Sequence, residues 1–172
     1  MIYNRGPMIS RAWLALAAAV FGLAVTTACG PGIDLSKALE VTDVLTGYYD
    51  AGVRDGKNYL KPSISFRLHN QGDRKTGPVQ MTVSFWAEGA DGEWDSVVLQ
   101  AIRADGLEAG ASTESILARL NIGYTLEGAR AEFFNHSGFK DVTAKLFANQ
   151  AGQIYPVGEF KLDRVIIPSL QQ

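Results

Sequence analysis

Apolar residues in this chain recur at every second position, in short runs, from Val41 almost to the C-terminus. Ile64, Phe66 and Leu68 alternate with Ser65 and Arg67, and Val79, Met81, Val83 and Phe85 alternate with Gln80, Thr82 and Ser84. Ile116, Ala118, Leu120 and Ile122 alternate with Leu117, Arg119 and Asn121, and Val142, Ala144 and Leu146 with Thr143 and Lys145. Phe160 and Leu162 alternate with Lys161 and Asp163, and Val165, Ile166 and Ile167 follow. In an extended chain, successive side chains point to opposite sides. Period two therefore gives a strand one apolar face and one wet face. Each run is a predicted half-buried strand.

Turn formers separate the runs: Asp55-Gly56, Asn70 to Asp73, Asp91-Gly92, Asp105-Gly106, Ala109-Gly110, Asn135 to Gly138 and Ala151-Gly152. Gly and Asn tolerate positive φ, and Asp caps tight turns. Strands and turns recur roughly every ten to twenty residues, the spacing of an antiparallel sandwich. Long amphipathic helices do not alternate with the strands, which argues against a parallel α/β sheet. Two places read both ways. Ser36 to Leu45 suits a short helix or a first strand. Ser112 to Ile116 opens with helix caps but fits the alternation of a strand better.

The first thirty residues follow another rule. Arg11 precedes an uncharged, mostly apolar run over 12–25, and the small residues Thr26, Thr27 and Ala28 lead to Cys29, the one cysteine of the chain. A basic start, a short apolar stretch and small residues at a junction are the parts of an export signal. Met8 begins a more usual basic segment than Met1, which has Pro7 after it. Residues 1–28 carry Arg5 and Arg11 and no acid. The net charge of -2 therefore leaves about -4 for the part from Cys29 onward. A mildly acidic domain is a poor match for nucleic acid, where basic patches supply the affinity. With one cysteine no internal disulfide forms, so a core must hold the fold. The roughly 144 residues after the signal suffice for one core.

The junction Thr26-Thr27-Ala28-Cys29 resembles the lipobox of bacterial lipoproteins, with Thr26 in place of the usual Leu. The resemblance implies cleavage before Cys29 and attachment of fatty acyl chains, palmitate among them, to Cys29. Several acyl chains anchor stably where one does not. Gly30, not Asp, follows the cysteine, which in Gram-negative lipoproteins implies sorting to the outer membrane, facing the periplasm or the surface. The expected organisation is a signal over 1–28, a lipidated cysteine and tether over 29–40, and a domain over 41–172. Within that domain, the strands at Ile64 to Leu68 and Val79 to Phe85, joined through Asn70-Gln71-Gly72, resemble the hairpin of immunoglobulin-like sandwiches in bacterial surface proteins. Leu107 to Thr113 resembles a later loop of the same domains. The expected fold is an all-β, immunoglobulin-like antiparallel sandwich of about seven or eight strands.

Catalytic signals are sparse. His69 and His136 are the only histidines, and neither stands at metal-ligand spacing. Asp91-Gly92-Glu93-Trp94-Asp95 gathers acids in one loop but lacks the spaced ligands of a calcium loop. No catalytic residue, metal or cofactor is expected. Aromatic residues are the candidates for binding: Tyr48, Tyr49, Trp86 and Trp94. The expectation is a non-enzymatic envelope domain, held to the membrane by lipid on Cys29, that contacts another envelope protein. The alternative is a module binding carbohydrate or peptidoglycan.

Overall fold

The computed structural model describes residues 32–167. The expected signal segment, the lipobox-like junction and Cys29 lie outside the described residues. Among those described, a helical turn α1 (Leu35–Ala38) precedes nine strands: β1 (Leu39–Arg54), β2 (Lys57–Asn70), β3 (Val79–Ala87), β4 (Asp95–Ile102), β5 (Ile116–Arg119), β6 (Tyr124–Leu126), β7 (Val142–Gln150), β8 (Gln153–Lys161) and β9 (Ile166–Ile167). A 3₁₀ turn spans Arg130–Asn135. The fold is an all-β sandwich, with nine strands instead of the expected seven or eight. The extra ones are β6 and β9, at three and two residues too short to show a period.

One sheet runs β5-β2-β1-β9 with β6 also on β2, and the other runs β4-β3-β7-β8. The chain makes a hairpin in the first sheet, crosses to make β3–β4 in the second, returns for β5 and β6, and crosses again for the β7–β8 hairpin. That is the immunoglobulin-like Greek key, with its fourth strand beside the third. All pairings are antiparallel except β1 with β9.

Alternation places the core. Ala144, Leu146 and Ala148 of β7 stand opposite Phe85, Val83 and Met81 of β3 within one layer, and these six, with Val79 and Val142 of the same strands, are fully buried. Ile64, Phe66 and Leu68 of β2 line the opposite layer. In place of an inter-sheet disulfide, packed aliphatic and aromatic side chains join the layers.

Two hairpins turn as the sequence predicts. Asp55-Gly56 joins β1 to β2 and Ala151-Gly152 joins β7 to β8, each with both residues at positive φ. Such two-residue turns match the right-handed twist of the strands. Ala151, at φ 49°, holds a Cβ in a region that disfavours it. An Ala151→Asn variant is expected to melt higher, by about 1 kcal/mol of added stability. An unchanged or lowered thermal midpoint would contradict that reading of the turn.

The sandwich begins before residue 41. Asp34 accepts from the Ser36 N–H and caps α1, while Leu35 and Leu39 are buried. The expected tether over 29–40 therefore includes a turn packed against the body. In β1, bulges between Thr42 and Leu45 and between Asp50 and Val53 break the period. Gly47 admits β9: a Cβ there would stand 2.8 Å from Ile167 and 2.9 Å from the Val165 carbonyl. Among the described residues no helix is long and apolar enough to cross a membrane.

Candidate binding surfaces

The four candidate aromatics lie in four different settings. Tyr48 points inward from β1 and is fully buried. It packs against Phe134, Phe139 and Tyr124 at centroid distances of 5.4, 5.3 and 6.2 Å. Burial pushes its phenol well above the usual value, and its hydroxyl has no partner among the described residues. As a core residue, Tyr48 offers no surface for binding. Tyr49, its neighbour on the outer side of β1, lies under the Arg119 guanidinium, 3.4 Å from the ring centroid. That stack covers one face of Tyr49 from the first sheet itself.

Trp94 ends the β3–β4 loop and rests on Tyr124 at 5.0 Å, with rings tilted 59°. Tyr124 continues onto Phe139 at 4.7 Å, and its hydroxyl donates to the Lys140 carbonyl at 2.8 Å. A hollow of about 430 Å³ opens beside Trp94 and Tyr124. The loop carboxylates serve the fold: Glu93 accepts from the Ser84 hydroxyl at 2.7 Å, and Asp95 accepts from the Ser96 N–H at 2.8 Å. Trp94 and Tyr124 are not coplanar, so they make no flat platform for a sugar ring.

Next to this cluster, Asp141 binds two cations: Arg164 Nε and Lys161 Nζ, each at 2.7 Å. The Asp141 side chain is 14% exposed. Hydrogen bonds from Arg164, then from Lys161, hold its carboxyl below the usual range. The unfolded chain thus binds a proton at Asp141 before the folded one does, as pH falls below about 4. The stabilisation is present above that pH and is lost as pH drops through the lower folded value. An Asp141→Asn variant is expected to lose about 1 kcal/mol at neutral pH. Its melting midpoint should then depend less on pH below about 4 than that of the wild type. Equal acid slopes in thermal melts from pH 5 to 2 would contradict this.

His69 and His136 sit apart in role. His69 Nδ1 pairs with the Ser112 hydroxyl at 3.0 Å. His136 Nδ1 accepts from the Gly138 N–H at 3.0 Å. Among the described residues no three His, Cys, Asp or Glu side chains stand close enough to share a metal ion.

Trp86 points outward from β3, half-buried, on the exposed side of the second sheet. Lys145 Nζ lies 4.9 Å from its ring centroid. Trp86 floors a hollow of about 260 Å³ ringed by Glu88, Asp141, Glu159 and Lys161.

The same sheet face changes character toward the other end of the strands. Register sets Val98 of β4 beside Thr82 of β3, Thr82 beside Phe147 of β7, and Phe147 beside Pro156 of β8. Ile154, 69% exposed, closes a hollow of about 230 Å³ with Thr82, Phe147 and Asn149. Val98 is 57% exposed. Thr82 turns its hydroxyl to the Asn149 amide at 2.9 Å, so a mainly apolar row crosses all four strands where the alternation predicts a wet face. Phe147 is the sequence signal for it, an aromatic at the outward phase of Thr143, Lys145 and Asn149. Val98, Pro156 and Ile154 join it through pairing register alone.

No protein-family model matches the chain, and no curated protein matches it. Solved structures similar to it include the following two. One is the alkylpurine DNA glycosylase from Pseudomonas fluorescens, bound to DNA containing an abasic-site analogue. It shares 12% identity over 74% of this chain and 31% of its own, at a TM-score of 0.41. This chain thus spans about a third of the length of that glycosylase. The other is a Northeast Structural Genomics Consortium target, 10% identical over 80% of this chain and 92% of its own, at a TM-score of 0.46. Nothing about activity or ligands is carried over from either.

Proposed function

We propose that this chain is a lipid-anchored envelope protein whose sandwich binds another protein without catalysis, through the outer face of β4-β3-β7-β8. The observation that carries the reading is the apolar row Val98, Thr82, Phe147 and Pro156 with Ile154 beside it. Contiguous apolar surface on a polar domain marks a contact site. Its place on the body adds a second element. Ile154 adjoins the Ala151-Gly152 turn, and the Gln150 amide of that turn reaches the Pro78 carbonyl. Residues 70–78 lead back to α1, where the Gln71 N–H donates to the Ala38 carbonyl. The row therefore lies at the α1 end of the sandwich. With lipid on Cys29, the partner is a protein of the same membrane surface. Confinement there raises effective concentration and lets a modest contact suffice.

The test is co-purification from detergent-solubilised envelopes. Wild-type protein should retain a stoichiometric partner that an Ile154→Asp variant of equal thermal stability loses. Retention by Ile154→Asp would remove the row from the function. A second reading rests on the Trp86 hollow, where one ring is surrounded by charged side chains able to bond hydroxyls. A glycan bound there would appear as co-sedimentation with purified peptidoglycan that Trp86→Ala abolishes.

A further inference from the structure

Most sheet edges in this sandwich are short or guarded. β5 and β6 run four and three residues. β1 is covered by β9 at Tyr48 and Tyr49, and elsewhere its edge is broken by bulges. β8 carries Pro156, which has no N–H to offer, opposite a bulge at Leu146 and Phe147, and then Glu159 and Lys161. These are the usual defences against strand addition. β4 is guarded only at its ends, by Asp95 at its start and by a bulge at Ala101 against β3. It runs eight residues without proline or glycine, and without charge after Asp95. Among the described residues no strand pairs with its outer side.

We propose that β4 pairs antiparallel with β4 of a second copy of this chain, about a two-fold axis through Val98, to form one eight-stranded sheet. An axis perpendicular to the sheet keeps the two outer faces on one side and sets one residue against its own copy. Centred on Val98, the register places Val98 on Val98, Val97 on Leu99 and Ser96 on Gln100. From Ser96 to Gln100 apolar meets apolar and polar meets polar, and Asp95 comes opposite Ala101 at the bulge. Centring on Val97 sets Leu99 against the Asp95 carboxylate. Centring on Leu99 sets Val98 against Gln100. The mainly apolar row then extends from Ile154 of one copy to Ile154 of the other. This pairing goes beyond the proposed function and does not require the lipid.

The test uses the full chain in detergent, with the mass in solution measured by light scattering. Wild type should be a dimer. Val98→Lys and Val98→Glu each place like charges on the axis, and each should raise the dimer dissociation constant at least ~10-fold. Mixing the two variants should restore a dimer holding one copy of each. Val98 is exposed, so both variants should melt near the wild-type temperature. In a Cys29→Ala background, Val98→Cys is the sole thiol. Opposed Cα atoms in such a pair stand about 4.5–5.5 Å apart, within disulfide range. Oxidation should link Val98→Cys into a homodimer and leave Ile154→Cys monomeric. A monomeric wild type, a dimer that survives Val98→Lys, or oxidative linkage of Val98→Cys to a different protein would overturn the proposal. Each readout is independent of lipid attachment and of any bound partner.

Discussion

A Phe66→Ala variant is expected to lose about 3–5 kcal/mol of folding free energy. Phe66 is fully buried on β2, which pairs with β1, β5 and β6. No shift of one strand refills the space. Removing the ring forfeits its transfer free energy and leaves a cavity whose walls belong to two sheets. Domains of this size hold about 5–15 kcal/mol in all. The loss should thus lower the melting temperature on the order of 10–20 °C, with urea unfolding midpoints falling in step. A loss below about 1 kcal/mol would mean that Phe66 does not bridge the layers as described.

The strands that were legible in the sequence are those whose pairing is regular. β3 and β7 alternate without interruption because each lies between two partners and buries one face, so Val79 to Phe85 and Val142 to Ala148 announce themselves. Asp55-Gly56 was legible because the two-residue turn demands positive φ and the residue pair supplies it. β1 was less so. Asp43 at φ 50° and two bulges shift its phase, and period-two reasoning loses count at each bulge. The same loss of phase hid the fate of Tyr48 and Tyr49. Neighbours on a strand face opposite ways, and only register shows that Tyr48 enters the core while Tyr49 meets Arg119. The apolar row was the least legible. Its members come from four strands, with Phe147 and Pro156 nine residues apart and Thr82 and Val98 sixteen, and each alone reads as an ordinary surface residue.

The second large effect concerns the anchor. Replacing Cys29 with alanine is expected to abolish incorporation of a fatty-acid probe and to release the protein from washed membranes. Acylation needs the thiol, and no other cysteine exists in the chain. A single acyl chain holds a protein only marginally, whereas the several chains of a processed lipoprotein resist washing. The mildly acidic body adds no electrostatic attraction to anionic lipid, so nothing would replace the lost chains. The melting temperature should not change, because the core side chains described above all come from Leu35 onward. Probe incorporation equal to wild type in Cys29→Ala would remove the anchor. Membrane retention without the probe would instead point to an uncleaved apolar segment over 12–28.

The most direct measurement is position-specific photo-cross-linking in intact cells, with the photoreactive residue placed in turn at Phe147, at Ile154 and at Glu127. Glu127 is exposed beside β6, on the other sheet. Protein docking on the outer face predicts one discrete heteromeric adduct from Phe147 and Ile154 and none from Glu127. Equal labelling from all three positions, or none from Phe147 and Ile154, would contradict it.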